Sequence, residues 1–344
     1  MNTPETVDPD FDLAALQRYL SEHIPKITNA LNIKQFTAGQ RNPTYQLISG
    51  DQKYVLRKKP VGDLLPSAHA VDREYRVMHA LRNTDVPVPR MLTLCMDRDV
   101  IGTEFYVMEM VEGNVSQDPG LPHLTPEQRN VFYHSFIKTL AQLHSVDPVD
   151  VGLSDFGRPQ GFLKRQVERW SKQYRATETE QIEAFDNLLE WLPKHLPDDD
   201  PTGIVHGDFR PGNVVFGRDQ PEVNALLDWE LCTLGHPFAD IGYACAPYHA
   251  DILPYGRLHG LDYKSLGIPT EQEFIDLYCQ YSGRSEVSNH LFFVVFSLFR
   301  SAAIIQGVYK RGLEGNAASA QAVNMGHLAR QRAETSWRIV VDEL

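Results

Sequence analysis

A chain of 344 residues, 42% of them hydrophobic and 23% charged, is long enough for two lobes with substantial cores and too apolar for extended disorder. Its formal net charge of -12 sets it against nucleic acid and anionic membrane, both like-charged, so neither is expected as a partner. Four scattered cysteines form no Cys-x-x-Cys pair, and no charged region followed by an apolar one marks the N-terminus; a non-secreted, cytoplasmic protein with buried thiols is expected.

Residues 10–20 place Leu13, Leu16, Tyr19 and Leu20 at helical spacing behind a capping Asp, which predicts a lead-in helix within residues 1–32. From Ile33 the pattern alternates between strand and turn: 33–37, a turn at 39–42, 44–48, a turn at Gly50 and Asp51, then 54–57. That is an antiparallel meander. Residues 68–81 follow with Val71, Tyr75, Met78 and Leu81 on one helical side, then two extended runs at 90–95 and 105–110. A boundary is expected at Gly113, so that residues 33–113 make one lobe and 114–344 a larger one. Beyond it the spacing predicts helices over 126–144, 161–174, 179–195, 270–281, 289–309 and 317–341, with two apolar strands around Ile204 and Leu226. The longest apolar run, 291–299, ends at Arg300 and reads as a buried helix too short to span a bilayer. The class is α+β.

The chemistry concentrates in Ile204-Val-His-Gly-Asp-Phe-Arg-Pro-Gly-Asn213 and, further on, Ala225-Leu-Leu-Asp-Trp-Glu230. An apolar strand leads to Asp208, Asn213 follows five positions later, and a second apolar strand delivers Asp228. Gly, Asp, Pro and Asn are also what turns favour, but a turn needs only two or three of them. Phosphoryl transfer needs a carboxylate to orient the attacking hydroxyl and oxygen ligands to hold magnesium against phosphates, and this interval supplies both.

Together these segments resemble the aminoglycoside phosphotransferase and choline kinase family, a branch of the two-lobed protein-kinase-like fold, from about Ile33 to the C-terminal helices. Three runs, at 54–60, 67–75 and 299–307, are most similar to the kinase-like domain attached to some acyl-CoA dehydrogenases. The resemblance implies ATP and Mg²⁺ as cofactors, Asp208 as the catalytic aspartate, Arg210 as a cation on the transferring phosphate, and Asn213 and Asp228 as metal ligands. His206 is implied as support. Asp240 is implied as a brace for the loop, although as a helix N-cap it would serve structure alone.

In the smaller lobe the resemblance puts Arg57 on the nucleotide phosphates with Glu74 as its ion-pair partner, an arginine where lysine is usual. Strand alternation puts Lys58 on the opposite face and makes Lys59 the substitute should Arg57 face elsewhere. Gly39, Gln40 and Asn42 would form the phosphate-covering loop, with one glycine where protein kinases have three. Met108 would face adenine, with the backbones of Glu109 and Val111 pairing with the base; a plain core strand fits the same residues.

The resemblance implies a small-molecule acceptor bearing a hydroxyl. Residues 158–175, which the family places beside the acceptor, hold Arg158, Lys164, Arg165, Arg169, Lys172 and Arg175 against Glu168 alone. Such a basic wall, with Arg165 and Arg169 as substrate residues, suits an anion, and the resemblance implies a 4-hydroxyacyl-CoA thioester; a solvated helix face accounts for the same charges. An acyl-CoA dehydrogenase is a possible partner. The alternatives are an aminoglycoside or choline-like amine phosphotransferase, for which Asp251 would be one acidic contact, and a non-catalytic nucleotide-binding regulatory module.

Overall fold

The computed structural model describes residues 4–36, 42–60, 70–250, 256–316 and 320–344; Gly39, Gln40 and Asp251 lie outside the described residues. The chain divides into two compact units, Met1–Ser116 with Asn213–Cys232, and Gln117–Gly212 with Thr233–Leu344. A single cut after Gly113 would have left Asn213–Cys232 in the second unit.

The first unit is built on a six-stranded antiparallel sheet. Its strands are β1 (Glu5–Thr6), β2 (Asn32–Gln35), β3 (Thr44–Ser49), β4 (Gln52–Lys58), β5 (Met91–Cys95) and β6 (Phe105–Glu109), in the order β1-β2-β3-β4-β6-β5. Between β1 and β2 runs α1 (Leu13–His23), and between β4 and β5 runs α2 (Val71–Leu81). Alternation along β4 sorts its side chains by face. Tyr54 and Leu56 join Leu16, Leu20 and Ile24 of the α1 segment, with Phe105 and Val107, in one buried cluster. The lead-in helix therefore covers one face of the sheet.

Asp12 caps that helix, accepting from the Ala14 and Ala15 N–H groups at 2.8 and 3.1 Å. Asp10 instead accepts from Lys58 Nζ at 2.9 Å, which also lies 5.4 Å from the Phe11 ring centroid. Lys58, one residue out of phase with Arg57, is thus buried against the α1 side and takes no part in the α2 side. The hairpin of β8 (Val214–Phe216) and β9 (Val223–Leu226) belongs to this unit too. Asn114 and Phe216 exchange both backbone hydrogen bonds, at 2.8 and 2.9 Å, and the Leu226 N–H donates to the Pro87 carbonyl at 2.8 Å. A side chain at Gly113 would collide with the Phe216 carbonyl, so only glycine lets the chain pass there.

The second unit carries α3 (Pro126–Ser145), α4 (Phe162–Thr177), α5 (Glu183–Trp191), β7 (Gly203–Val205) paired antiparallel with β10 (Thr233–Gly235), α6 (Phe238–Cys245), α7 (Tyr263–Leu266), α8 (Glu271–Ser282), α9 (His290–Leu313) and α10 (Gly326–Glu343). Capping boxes start α3 at Thr125 and α8 at Thr270. At 24 residues α9 is longer than its apolar run and, by length and composition alone, long enough to cross a membrane; 72% of that window is buried, packed against α4, α6 and α10. It is the core helix of the unit.

Three expectations are corrected. The helix expected over 179–195 starts at Glu183 and gives way at Leu192 to a 3-10 turn containing Pro193, whose ring removes a backbone donor. The last helix starts at Gly326, after a 3-10 turn over Ala320–Asn324. The short elements β8, β10, α6 and α7 have no counterpart in the sequence reading, being too brief to show a period.

Leu20 is fully buried between α1 and the sheet. Leu20→Ala is expected to destabilise the first unit by about 2–5 kcal/mol, read as a lower urea midpoint; a midpoint unchanged from wild type would mean that α1 is not integral to this core.

Candidate active site

In the second unit the loop after β7 is organised by a carboxylate from α6. Asp240 is the third residue of that helix, fully buried, and does not cap it. Its Oδ2 accepts the His206 N–H at 2.7 Å and its Oδ1 the Gly207 N–H at 2.8 Å. His144, at the end of α3, lies with Nε2 3.4 Å from the same carboxylate and Nδ1 2.9 Å from the Tyr278 hydroxyl. Burial pulls the His144 pKa below its ordinary value against the opposing pull of Asp240. A neutral ring then donates from Nε2 and accepts the Tyr278 proton at Nδ1. His206 Nδ1 accepts the Asp208 N–H at 3.2 Å, a supporting role. Gly207 has φ +85°, a left-handed turn that glycine makes without strain.

This bracing presents Asp208 with its carboxylate one-fifth exposed. Arg210 Nε lies 3.3 Å from Asp208 Oδ2, and its Nη1 donates to Gln117 Oε1 at 2.6 Å. Two residues that the sequence did not single out flank the loop. The Tyr243 hydroxyl of α6 hydrogen-bonds Asp208, and burial first, then the Asp208 charge, holds its pKa well above the usual phenol value, so it remains a donor. Arg300 of α9 donates from Nη2 to the Gly207 carbonyl at 3.0 Å. Neither carried a role in the sequence reading; each reaches the loop from a helix remote in sequence.

In the first unit the second constellation centres on Arg57, 6% exposed on β4. Its Nη2 lies 2.8 Å from Asp228 Oδ1 and 3.6 Å from Glu230 Oε2; its Nε lies 3.1 Å from Glu74 Oε2, an ion pair without hydrogen-bond alignment. Lys59 is not needed as a substitute. Glu74, 1% exposed, also accepts from the Tyr106 hydroxyl at 3.0 Å and from Asn42 Nδ2 at 2.8 Å. Asn42, expected to cover phosphate, is instead fully buried with its amide committed to Glu74. Asp228 has φ +63°, a conformation that few non-glycine residues adopt, and its side chain is one-third exposed. The Leu227 N–H donates to the Asn213 carbonyl at 2.7 Å, tying the chain next to Asp228 to the second expected metal ligand.

One arginine thus faces three carboxylates. Burial raises Glu74 to about 7; Arg57 opposes the shift, the Asp228 charge adds to it, the Tyr106 hydrogen bond opposes it and the Glu230 charge adds again. The surplus negative charge and the half-open Asp228 suit a divalent cation held by Asp228 and Asn213 oxygens.

Met108 is buried on β6, paired with Val55, while Glu109 is exposed and Val111 half-buried. The Glu109 N–H donates to the Arg90 carbonyl at 2.9 Å, so it is not available to a base. On α4 the basic wall is thinner than its sequence suggests. Arg165 folds back onto the Arg158 and Gln160 carbonyls, and Arg175 pairs with Glu178 and Asp186 at 3.2 and 2.9 Å. Arg165 is therefore a loop clamp, with Nη1 and Nη2 each donating to a main-chain oxygen. Arg169 is exposed and its guanidinium lies 5.1 Å from the Trp170 ring centroid.

A model of the phosphotransferase enzyme family matches residues 32–264. The chain belongs to that family. Over 335 residues it is 46% identical to mouse acyl-CoA dehydrogenase family member 10, covering 96% of this chain and 31% of that protein. Chicken acyl-CoA dehydrogenase family member 11 is 43% identical over 94% of this chain and 43% of its own length, so the chain spans less than half of these curated relatives. Among solved structures, an aminoglycoside phosphotransferase candidate from Ralstonia eutropha JMP134 is 44% identical with a TM-score of 0.87, over 95% of this chain and 98% of that one. The kinase-like fold and the kinship with domains of acyl-CoA dehydrogenase family proteins, both expected from the sequence, are thereby shown.

A carboxyl whose folded value lies above its ordinary one contributes stability at low pH and loses it as pH rises through the folded value. For Glu74 that window runs from its ordinary 4.5 to about 7. The Tm of wild type is therefore expected to fall relative to that of Glu74→Gln between about pH 5 and 8, measured without divalent ions; parallel curves would refute a raised Glu74.

Proposed function

We propose that this phosphotransferase family chain is an ATP- and Mg²⁺-dependent small-molecule kinase whose acceptor is a hydroxyl of an acyl-CoA, the 4-hydroxyl of a 4-hydroxyacyl-CoA being the specific reading. The observation that carries the kinase reading is the Asp208 loop: a partly exposed carboxylate fixed by two main-chain hydrogen bonds to buried Asp240. A carboxylate so held can orient the acceptor hydroxyl and take its proton as the new O–P bond forms and the bond to the ADP leaving group breaks. Arg210 beside it is a cation for the charge that develops on the transferring group.

Asn213 and Asp228 would hold magnesium, which offsets phosphate charge when bound. Arg57, held by Glu74, would reach the phosphates. The nucleotide assignment draws support from a spectinomycin phosphotransferase solved with ADP and spectinomycin, alike in fold with a TM-score of 0.64 at 13% identity over 96% of this chain and 98% of that one. The acyl-CoA assignment draws support from the names of the relatives, and an acyl-CoA dehydrogenase, fused or separate, is the corresponding partner.

ADP release is to be followed with MgATP over a panel of 4-hydroxyacyl-CoAs, free hydroxy acids, aminoglycosides and choline. Turnover of the CoA esters is expected, with Asp208→Ala lowering kcat by about 10²–10⁴-fold and leaving ATP affinity near wild type. Turnover confined to the amines would sink the acceptor assignment. ATP binding with no turnover of any compound would favour a regulatory nucleotide-binding module.

A further inference from the structure

The second unit contains a pair of cations that the family motifs do not account for. Arg300 presents five N–H donors, and one of them reaches the Gly207 carbonyl. Its guanidinium lies 5.6 Å from the centroid of the Trp170 ring, and that of Arg169 lies 5.1 Å from the same ring. Among the described residues neither arginine has a carboxylate within ion-pairing distance, in contrast to Arg175 on the same helix as Arg169.

Two guanidinium groups gathered on one indole repel each other. Burial draws the Arg300 pKa down from its ordinary value; Tyr243, Asp208 and Asp240 oppose that shift, and Arg169 adds to it. The carboxylates that steady Arg300 are thus Asp208 of the loop and its brace Asp240, and Asp240 is already committed to two N–H groups. An arginine kept in this setting is ready for an anionic or strongly polarised oxygen from outside the protein. Position limits what that oxygen belongs to. The carbonyl that Arg300 holds precedes Asp208 by one residue, and consecutive Cα atoms are about 3.8 Å apart. An oxygen taken up by Arg300 therefore lies close to a hydroxyl held at Asp208, whose charge Arg300 feels.

We propose that Arg300 and Arg169 form the acceptor's anion subsite, which receives a carbonyl-type oxygen, carboxylate or thioester, a few carbons from the hydroxyl to be phosphorylated. This rests on the kinase reading for the place of the hydroxyl. It assigns specificity to Arg300, to which the resemblance attached no role, and selects Arg169 from the basic wall on α4. It also separates this acceptor from an amine, which two unpaired cations would repel.

The test is calorimetric binding to the full-length chain, with a non-hydrolysable ATP analogue and Mg²⁺ present, of three probes: 4-hydroxybutyrate, 4-hydroxybutyryl-CoA and unacylated CoA. Arg300→Gln and Arg169→Gln are each expected to weaken the hydroxy acid, the thioester or both by about tenfold or more, with the affinity for the ATP analogue unchanged. Loss for the acid alone identifies a carboxylate as the natural group, and loss for the ester alone a thioester carbonyl. Arg169 is exposed, so Arg169→Gln decides the matter should Arg300→Gln fail to fold. Wild-type affinity for both acylated probes in the variants, or no binding of either by wild type, overturns the proposal. An equal loss for unacylated CoA also overturns it, because the arginines would then be reading CoA phosphates. Since the readout is binding, weakened binding in the variants without phosphoryl transfer by wild type would count against the kinase reading and leave the subsite supported.

Discussion

The buried carboxylate of Asp240 is the constraint on which the Asp208 loop depends. It cannot be left unpaired in a dry interior, and its oxygens take the main-chain N–H groups of His206 and Gly207 in succession. A loop rich in glycine and proline would otherwise have many conformations available, and two charge-assisted hydrogen bonds to one rigid helix select among them. The His144 and Tyr278 contacts extend the same network to α3 and α8, so three helices determine where Asp208 begins. Tyr243 and Arg300 then act on either side of it, from α6 and α9.

The first unit solves a different electrostatic problem. Arg57 faces Glu74, Asp228 and Glu230, more negative charge than one guanidinium can balance. A protein optimised for stability alone would remove a carboxylate. Retaining all three stores an appetite for positive charge, relieved by a proton on Glu74 or by a divalent cation at Asp228. The left-handed backbone of Asp228 adds local strain to the same residue, as expected where geometry serves binding more than stability. The proposed metal affinity and the titration of Glu74 would in this sense be two aspects of one charge imbalance.

Much of this was legible in the chain. The meander was visible because short β-prone runs at 44–48 and 54–57 are separated by turn residues, and the Asp208, Asn213 and Asp228 spacing pointed to phosphoryl transfer. Arg57 and Glu74 meet as the resemblance implied. Asn42 did not behave as a loop residue: its position between two strands is visible in sequence, but its burial under Glu74 depends on how α2 lies against the sheet. The α4 charges misled for a related reason. Sequence counts six cations but cannot show that Arg165 turns back onto main-chain carbonyls and that Arg175 finds Asp186 on the next helix. Asp12 caps α1 because it immediately precedes Leu13, as the capping Asp of the sequence reading requires, while buried Lys58 on a distant strand takes Asp10.

The sequence by itself determined the class of fold, the order of its longer elements and the residue types at the candidate site, because these follow from local periodicity, turn chemistry and fixed spacing along one loop. Tertiary structure alone decided which charges are neutralised and which are left over. Arg165, Arg169, Arg175 and Arg300 are alike as letters; two are answered from within the fold and two meet on Trp170 with no carboxylate among the described residues. Charge compensation is a property of distances between elements far apart in the chain, and at those distances composition and spacing carry no information.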